Sequence, residues 1–506
     1  MNNAPSAHRL VIVSNRLPIV LNQTPEGFWR VAPGSGGLVT AMAPILKDRG
    51  GLWIGWPGST ESEGMDFDAL LAEATDGGGY TFKAVPLSRA EVEDYYYGFS
   101  NEVLWPLFHD LQTRCNFDPR YWRMYCEVNR KFAEVTARNS SREDHIWVHD
   151  YHLIRTGQAL RDLGSRAKIG YFLHIPFPPL DLFLKLPWRF EILNSLLAYD
   201  LVGFQTPRDK RNFVQCLRAI RRDVPVKGRG QVVLAEGEER QVRIGNFPIS
   251  IDFDEFARQA TDPGVDQRVE QIRTNLSSEE LRRTLLLGVD RLDYTKGIPE
   301  RLQAFAIALK HYPELREKIS LIQIVVPSRE KIPKYQELKL EIQRLVSDIN
   351  GRYGQTGWVP IHYIFRSVDR AELVALYRAA DIALITPLKD GMNLIAKEYC
   401  AANIEDQGVL IMSEFAGAAG QFQRQALLVN PYDREGVAAA IASACAMPRA
   451  EAKRRMKTLR RKVRKSDIYW WVDAFLNAVF AHDLSAFKPL EEYIPREVPV
   501  RGPEKK

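Results

Sequence analysis

The chain is poor in cysteine and has no long hydrophobic run. Its 506 residues include five cysteines that are widely separated and form no CxxC pair, namely Cys115, Cys126, Cys216, Cys400 and Cys445. This usage is typical of a reducing compartment and argues against a disulfide-stapled secreted domain. The apolar run near the start (10–13) is too short for a signal peptide, and no stretch approaches the length of a membrane span. We therefore expect a cytoplasmic protein with buried thiols and no membrane partner.

Motifs for a catalytic metal and for a dinucleotide are also missing. His149 and His152 lie in VHDYH, but their spacing differs from HExxH and no third ligand is apparent. We expect both imidazoles to be satisfied polar groups at a sheet edge, and no metal site. The glycine loop PGSGGLVTAM (33–42) has Val39 where GxGxxG needs its third glycine, which disfavours an NAD enzyme. The loop before a helix is either a tight turn or an approach for a phosphate.

Cations are concentrated in KRRMKTLRRKVRK (453–465), which supplies much of the formal net charge of +6. Met456, Leu459 and Val463 recur there at helical spacing, which predicts a helix with one buried stripe and a solvated basic face. The alternative is a surface for nucleic acid or anionic lipid. Because no aromatic residues interleave with the cations, a stacking surface for bases is absent and we expect no nucleic-acid partner.

Short apolar runs alternate with longer amphipathic ones along most of the chain. One series of strand candidates covers 9–14, 51–56, 80–87, 145–150, 168–175 and 200–205, and a second covers 284–290, 319–326, 359–365, 381–388, 408–414 and 426–431. Helical patterns lie between them, including 118–138, 207–221, 298–312, 331–350 and 433–446. This alternation predicts an α/β protein with two parallel, doubly wound sheets. The chain length also favours two or three domains.

The strand series restarts after NFPISIDFDEF (246–256), so we place the domain division near that segment. The expected parts are an N-terminal domain at 1–247, a C-terminal domain at 248–468, a closing helix at 469–486 that returns to the N-terminal domain, and a tail at 487–506. Within the junction, DFDEF resembles the DxDxT of aspartyl-phosphate phosphatases, but Phe256 stands in place of the threonine and we predict a helix start instead. Ligands of open parallel sheets bind outside the carboxyl ends of the strands, so functional residues are expected at strand ends.

The segment GVDRLDYTKG (288–297) places Arg291 and Lys296 at the end of a buried strand pattern. Arginine presents a planar fork to phosphate oxygens, and lysine adds a mobile charge. Gly297 lets the next helix begin close to an anion. The pair predicts a phosphate site, with ordinary salt-bridge partners as the alternative.

The segment PLKDGMNLIAKEYCAA (387–402) combines a strand end with a helix that starts near Asn393 and has free N–H groups in its first turn. Glu398 lies about one turn into that helix, where a carboxylate can accept hydrogen bonds from both hydroxyls of a ribose. The alternative is an exposed charge, which the i,i+4 spacing of Asn393 and Lys397 allows. In LHIPFPP, prolines stiffen the loop after His174, whose fixed imidazole can hydrogen-bond a sugar hydroxyl.

Taken in order, these motifs resemble the trehalose-6-phosphate synthases, which are retaining glycosyltransferases of the two-domain GT-B fold. The resemblance covers nearly the whole chain and rests on VSNRLP (13–18), SNEVLWPLFH (100–109), WVHDYHL (147–153), FLHIPFP (172–178), RLDYTKG (291–297), DGMNLIAKEY (390–399) and EFAGAA (414–419). Chance agreement of all these segments in order is not credible. The resemblance implies two Rossmann-like domains that face a cleft, with the nucleotide mainly on the second.

The resemblance also implies an activity: transfer of glucose, with retention, from a nucleoside-diphosphate glucose to glucose 6-phosphate. UDP-glucose is the donor expected first, and GDP- and ADP-glucose stay open. The family's front-face route lets the departing phosphate help deprotonate the acceptor, and neither a metal nor another cofactor is expected. The partners expected are small-molecule substrates and further copies of the chain in a homo-oligomer.

Two alternatives stay open within the same scaffold. One is a glucosylglycerol-phosphate synthase, which uses glycerol 3-phosphate as the acceptor. The other is a catalytically silent sensor of sugar phosphates, which should have lost Arg291, Lys296 or Glu398. All three residues are present.

The matching positions imply a role for each site residue. The expected catalytic set is Arg291, Lys296, His174 and Asp390, with the two cations on the donor diphosphate and the other two on glucose hydroxyls. The rest of the donor site would be Gly36, Gly37, Leu394, Ile395, Ala396, Lys397 and Glu398, with the ribose on the glutamate and the phosphates along the helix backbone. The acceptor phosphate and sugar would meet Arg16, Tyr96, Trp105, Asp150 and Arg329.

Overall fold

The computed structural model describes residues 9–23, 29–34, 37–60, 67, 70–71, 79–237, 240–277, 282–329, 332–481 and 483–495. Within these ranges, no helix has both the length and the apolar character that a bilayer crossing needs. The five cysteines are all free thiols.

The N-terminal part is built on a nine-stranded sheet and a separate hairpin. Its strands are β1 Leu10–Arg16, β2 Ile19–Gln23, β3 Trp29–Pro33, β4 Gly51–Trp56, β5 Tyr80–Ala84, β6 His145–His149, β7 Lys168–Phe172, β8 Leu201–Phe204, β9 Val226–Lys227, β10 Val232–Glu236 and β11 Gln241–Asn246. The sheet order is β5-β4-β1-β6-β7-β8-β11-β10-β9, and all pairs from β5 to β11 are parallel. The antiparallel edge β11-β10-β9 and the hairpin β2-β3 differ from the expected all-parallel pattern. β9 has only two residues and polar residues occupy part of β2, β3 and β11, whereas β10 (VVLAE) is an apolar run that the predicted strand series did not include.

The helices of this part lie at Gly37–Arg49, Arg89–Glu91, Trp105–Phe108, Pro119–Asn139, Thr156–Asp162, Leu180–Phe183, Arg189–Leu196 and Pro207–Ile220. Between Arg89–Glu91 and Trp105–Phe108 the chain stays helical as a π-helix, Val92–Leu104. Such wide turns are rare and often lie at functional sites. This π-helix carries Tyr96 and leads directly into Trp105, two of the expected acceptor residues.

The C-terminal part is a six-stranded, fully parallel sheet. Its strands are β12 Thr284–Arg291, β13 Ile319–Val326, β14 Ile361–Ile364, β15 Ile382–Ile385, β16 Val409–Ser413 and β17 Leu427–Val429, in the order β14-β13-β12-β15-β16-β17. Its helices are Phe253–Ala260, Pro263–Leu276, Ile298–His311, Pro333–Tyr353, Arg370–Ala379, Leu394–Ala402, Ala419–Phe422, Arg434–Cys445 and Arg449–Lys465. With the first sheet, this arrangement confirms the predicted fold class of two doubly wound, Rossmann-like domains.

Two local predictions about helices are also confirmed. Asp252 caps the helix Phe253–Ala260, so DFDEF is a helix start. In the basic helix Arg449–Lys465, the stripe Ala452, Met456, Leu459 and Val463 is buried while most cations face outward.

The last helix, Ile468–Phe480, packs on the first sheet. The rings of Trp471 and Phe475 lie 4.8 and 4.3 Å from the ring of Trp147 on β6. Gly203 on β8 leaves room for Phe475, since a Cβ there would lie 2.7 Å from that ring. The aromatic contacts hold the end of the described chain beneath the strands that carry the site.

Candidate active site

The point where strand order reverses in each sheet carries the predicted residues. In the first sheet the reversal lies between β1, which ends at Arg16, and β6, which is followed by Asp150. In the second it lies between β12, which ends at Arg291, and β15, whose following loop carries Asp390. Open parallel sheets form their ligand crevices at such reversals. Both crevices face each other, because the guanidinium of Arg329 lies 4.2 Å from the ring of Trp105 in the opposite domain.

Arg329 is a buried cation with fixed partners. Its Nη1 donates to the Tyr335 hydroxyl (2.8 Å) and to Asp293 Oδ2 (3.2 Å), and its Nη2 donates to the Tyr151 hydroxyl (3.2 Å). Its backbone has φ of +50°, a left-handed conformation that a side-chain-bearing residue rarely adopts. The guanidinium is therefore oriented before any ligand arrives, with its flat face on Trp105.

Positive charge converges on the phenol of Tyr96. Burial alone would raise the pKa of Tyr96, but the nearby Arg329, Arg16 and Arg291 outweigh it and lower that pKa. The Arg16 guanidinium lies 4.2 Å from the ring of Trp56 and has no carboxylate partner in the described part of the chain. Three cations around one hydroxyl are suited to a phosphate group.

Asp150 supplies a carboxylate to the same pocket. It adopts φ of +73°, and its Oδ1 accepts a hydrogen bond from the N–H of His174 (3.1 Å). Burial raises its pKa to about 6, although the backbone donors Tyr151 and His174 and the cation Arg291 oppose that rise. At neutral pH the group is ionised and can accept a hydrogen bond from a sugar hydroxyl.

The expectation that His149 and His152 are fully satisfied is wrong for one nitrogen of each. The Nε2 atom of both rings is buried without a hydrogen-bond partner among the described residues. His152 stacks on Tyr96 with ring centroids 5.8 Å apart, and burial lowers its pKa well below the ordinary value. No group of three or more His, Cys, Asp or Glu side chains suited to a metal ion occurs in the described ranges.

On the donor side, Arg291 and Lys296 differ. Arg291 is exposed at the end of β12, and no carboxylate pairs with it within the ranges described. Lys296 Nζ donates to Asp390 Oδ2 at 2.6 Å, and each of these side chains is only 12% exposed. The salt-bridge alternative therefore holds for Lys296 and fails for Arg291.

The two acids of GVDRLDYTKG explain why Arg291 stays unpaired. Asp290 forms a buried ion pair with Arg301, and Asp293 pairs with Arg329. Each acid is thus paired with an arginine outside the segment. Arg291, which lies between them, therefore has no carboxylate partner among the described residues and is free to bind a ligand in the cleft.

The loop before the helix Leu394–Ala402 is longer than predicted. The strand β15 ends at Ile385, so Asp390 does not close it directly, and Asp390 forms an isolated parallel bridge with Ala416. Asn393, at φ +51°, caps the helix by accepting from Ala396 N (3.2 Å) and also donates to Asp390 Oδ2 (3.3 Å). The loop thereby ties the carboxylate to the helix N-terminus, where positive partial charge gathers.

Lys397 and Glu398 are buried, so the exposed-charge alternative is wrong. Glu398 Oε2 accepts from the Tyr377 hydroxyl at 2.7 Å, and burial raises the pKa of this carboxyl. Lys397 Nζ donates to the Ile249 carbonyl at 2.6 Å, and burial lowers its pKa to about 7.

The remaining residues predicted for the donor site differ in burial. Leu394 and Ala396 are buried and Ile395 is half-buried. Gly37 begins the helix Gly37–Arg49, and Gly36 lies outside the described residues.

Both ring nitrogens of His174 already have partners. Nε2 lies 3.0 Å from His149 Nδ1, and Nδ1 lies 3.3 Å from Gln205 Nε2. Burial lowers the His174 pKa to about 3, so the ring is neutral. A ring hydrogen bond to a glucose hydroxyl would have to displace one of these partners.

Sequence reasoning missed four residues of the site: Tyr151, Gln205, Asp293 and Tyr335. Three of them could have been found, since Gln205 ends a predicted strand and both Asp293 and Tyr151 lie inside quoted motifs. Tyr335 gave no signal, because only the fold brings it to Arg329.

A neighbouring cavity of about 630 Å³ includes only two predicted site residues, Asp390 and Lys397. Its wall contains none of the cations Arg291, Lys296 and Arg329. The wall has other cations, among them Arg208, Arg211 and Lys389. We locate the candidate site at the strand ends because Arg291 and Arg329 meet there beside Trp105.

The profile of glycosyltransferase family 20 matches residues 8–480. A trehalose-6-phosphate synthase of Mycolicibacterium gilvum (strain PYR-GCK) is 44% identical over 486 residues, which cover 95% of each chain. A trehalose-6-phosphate synthase of Mycobacterium leprae (strain TN) is 43% identical over 478 residues, covering 93% of this chain and 94% of its own.

Solved structures of the same kind superpose well. A UDP-forming α,α-trehalose-phosphate synthase from Burkholderia xenovorans in complex with glucose-6-phosphate has a TM-score of 0.83 and 36% identity, covering 94% of this chain and all of its own. A structure from E. coli bound with UDP-2-fluoro glucose has a TM-score of 0.81 and 37% identity, covering 93% of this chain and 98% of its own. With the profile match over nearly the whole length, these likenesses show that the chain belongs to glycosyltransferase family 20.

Proposed function

We propose that the chain transfers glucose from UDP-glucose to glucose 6-phosphate, with retention, and forms α,α-trehalose 6-phosphate and UDP. The observation that carries this proposal is that Arg16 from the first sheet and Arg291 and Arg329 from the second converge around Tyr96, in the cleft where the two strand-order reversals face each other. The relatives bound to glucose-6-phosphate and to UDP-2-fluoro glucose support the choice of the two ligands.

The donor is assigned to the C-terminal side of the cleft. Arg291 and Lys296 hold the diphosphate, and the backbone N–H groups of Leu394–Lys397 lie along it at the helix N-terminus. Glu398 holds the ribose. Gly36 and Gly37 approach the donor from the N-terminal domain.

The acceptor is assigned to the N-terminal side together with Arg329. Arg329 donates to Asp293, Tyr335 and Tyr151 and also forms a hydrogen bond with Tyr96, which does not use all five N–H groups of a guanidinium. The N–H capacity that is left, with Arg16 and Tyr96, binds the 6-phosphate. Asp150 and Trp105 hold the sugar ring.

The chemistry is stabilisation of a leaving group. As the glycosidic bond breaks, charge builds on the diphosphate, and an unpaired arginine placed there stabilises it in the transition state. Burial alone would raise the pKa of Asp390, but Lys296 outweighs it and keeps that pKa low. An ionised Asp390 accepts hydrogen bonds from glucose hydroxyls.

The experiment that tests this proposal is a donor-by-acceptor activity matrix with the product identified by NMR. UDP-, GDP- and ADP-glucose are each paired with glucose 6-phosphate and with glycerol 3-phosphate. We expect α,α-1,1 product from UDP-glucose and glucose 6-phosphate. If product forms only with glycerol 3-phosphate, the acceptor assignment is wrong and the chain is a glucosylglycerol-phosphate synthase. If no pair gives transfer, the chain is a catalytically silent sensor.

Three further parts of the proposal concern the whole molecule. We propose the domain parts 1–247, 248–468, 469–486 and 487–506, and limited proteolysis should cut first near their junctions. A homo-oligomer and a cytoplasmic location stay predictions from the sequence. Light scattering of the purified protein measures the first, and fractionation of the cell measures the second.

A further inference from the structure

A continuous chain of buried hydrogen bonds crosses from one domain to the other at the site. Lys397 Nζ donates to the Ile249 carbonyl (2.6 Å), and the Ile249 N–H donates to Gln205 Oε1 (2.9 Å). Gln205 Nε2 then contacts His174 Nδ1 (3.3 Å), and His174 Nε2 contacts His149 Nδ1 (3.0 Å). None of these five residues is more than 3% exposed.

We call this chain of hydrogen bonds from Lys397 to His149 the relay. The direction in which its members donate is set by the bond between Ile249 and Gln205. The Ile249 N–H can only donate, so the oxygen of the Gln205 amide faces it and the NH₂ group faces His174. His174 Nδ1 therefore accepts, and its Nε2 carries the proton that is donated to His149 Nδ1. All donors point the same way, and hydrogen bonds aligned in this manner polarise and strengthen one another.

The two ends of the relay touch the two halves of the site. Lys397 lies in the helix Leu394–Ala402, which carries the proposed diphosphate and ribose contacts. The other end of the relay is His149, which immediately precedes Asp150, and the backbone N–H of His174 donates to Asp150 Oδ1 (3.1 Å). A Cβ on Gly391 would overlap the His174 carbonyl oxygen, so this backbone packs closely against the loop of Asp390.

The middle of the relay is the connection between the domains. Ile249 lies between the last strand of the first sheet, which ends at Asn246, and the helix Phe253–Ala260. The backbone of Ile249 accepts from Lys397 at its carbonyl and donates to Gln205 at its N–H, so the two peptide groups that flank its Cα bond to both domains. Any shift of one domain against the other must strain or break one of these two bonds.

We propose that Gln205 and Lys397 are positioning residues that couple the donor half of the active site to the acceptor half through the backbone N–H and carbonyl of Ile249. The inference rests on the proposed function for what each half binds. Neither side chain touches substrate in this assignment. They act by fixing the helix Leu394–Ala402 relative to His174 and Asp150.

The relay acts on geometry that matters in the transition state, so its loss should lower kcat and leave nucleotide affinity unchanged. Gln205→Met removes both amide hydrogen bonds at nearly constant volume. We expect kcat to fall about tenfold, because that factor corresponds to the net free energy of one hydrogen bond. Lys397→Met should lower kcat by a similar factor.

A double-mutant cycle on kcat separates coupling from ordinary structural damage. Gln205 and Lys397 share Ile249 but not a direct bond, so an intact relay predicts that the double variant is no slower than about the slower single variant. Independent effects would instead multiply to about a hundredfold. Multiplying effects would overturn the proposal.

Gln231→Met is the matched control. Gln231 is also a buried glutamine of the first domain, and its Nε2 donates to the Asn246 carbonyl at 2.7 Å. Its loss removes one buried amide bond outside the relay, so it should lower the melting temperature without lowering kcat. An equal fall in kcat for Gln231→Met would refute a specific role for Gln205.

NMR of ¹⁵N-labelled histidines tests the relay without using activity. In the wild type, His174 should be neutral with its proton on Nε2. Gln205→Met removes the N–H that donates to His174 Nδ1, so the Nδ1 signal should shift. An unchanged Nδ1 signal in a folded Gln205→Met variant would overturn the relay, whereas a wild type without glucosyl transfer would overturn the proposed function alone.

Discussion

Arg329 and Arg291 both lie beside Trp105, at 4.2 and 5.9 Å from its ring, but they are held in opposite ways. Arg329 is buried and bonded to Asp293, whereas Arg291 is exposed and lacks a carboxylate partner in the described part of the chain. A buried cation must be paired to offset its desolvation, and that pairing also fixes its direction. In the proposed assignment, the acceptor cation Arg329 is thus oriented before its substrate binds, whereas the donor cation Arg291 would be ordered by the diphosphate.

The largest effect should come from Arg291→Ala. Because the diphosphate gains charge as the bond breaks, loss of this cation should lower kcat about 10²–10³-fold and weaken UDP binding. The melting temperature should stay unchanged, since the side chain is exposed. Steady-state kinetics, calorimetry with UDP and thermal melting measure the three quantities.

Arg461→Ala controls for the change in net charge, because Arg461 is an exposed cation on the basic helix Arg449–Lys465. It should leave kcat unaltered. If Arg291→Ala keeps wild-type kcat while UDP binds normally, the donor cation has been placed wrongly.

Arg329→Ala should show a smaller kinetic effect and a larger structural one. Loss of charge-assisted bonds to the 6-phosphate should weaken use of glucose 6-phosphate about ten- to a hundredfold. The variant also leaves Asp293 buried without its cation, so the melting temperature should fall. UDP binding should be nearly unchanged.

Asp293→Asn combined with Arg329→Met separates these two effects. Removing both charges should restore most of the stability, while the acceptor KM should stay high. Loss of UDP binding in Arg329→Ala, together with normal UDP binding in Arg291→Ala, would mean that the two ends of the cleft are reversed.

The contrast between these arginines also shows what the sequence can reveal. Arg16 and Arg291 end buried strand patterns, and strand ends of parallel sheets converge, so their approach to one cleft was predictable from local pattern, whereas Arg329 was assigned by the family resemblance. Which arginine is paired was not predictable. The partners of Arg329 come from Asp293, Tyr335 and Tyr151, and only the fold brings the last of these across 178 positions.

Other missed features have the same physical origin. The π-helix Val92–Leu104 has no sequence period of its own that differs clearly from an α-helix. The bond from Lys397 to Ile249 joins residues 148 positions apart and ends on a carbonyl, which has no side-chain signature. The fold class was predictable because strand and helix periods are local, whereas such tertiary hydrogen bonds are not.

Asp150 should make acceptor binding depend on pH. Its pKa is raised to about 6, so the carboxylate forms as the pH rises from 5 to 7. The ionised form accepts a stronger hydrogen bond, and the KM for glucose 6-phosphate should fall about fivefold over that range. The substrate's own phosphate also ionises near pH 6, so Asp150→Asn, which keeps only the phosphate titration, is the control.

The raised pKa of Asp150 also makes the stability of the protein depend on pH. Ionisation improves acceptor binding, but it lowers the free energy of unfolding. The folded state holds the Asp150 proton more tightly than the unfolded chain, so this group's contribution to stability declines as the pH rises toward 6. The melting temperature of Asp150→Asn should therefore exceed that of the wild type by more at pH 7 than at pH 4.

Equal pH profiles of KM for the wild type and Asp150→Asn would show that Asp150 does not bind the acceptor.

Removal of divalent ions should have the smallest effect, and we expect none on kcat. A divalent ion on a diphosphate serves to neutralise charge on the leaving group. In the proposed assignment, Arg291, which has no carboxylate partner among the described residues, and the N-terminus of the helix Leu394–Ala402 supply positive charge at that position, so the role is already filled. Activity with excess EDTA should equal activity with added Mg²⁺. Full loss in chelator, restored by one specific metal, would contradict this and would also mean that Arg291 is not the principal charge on the donor side.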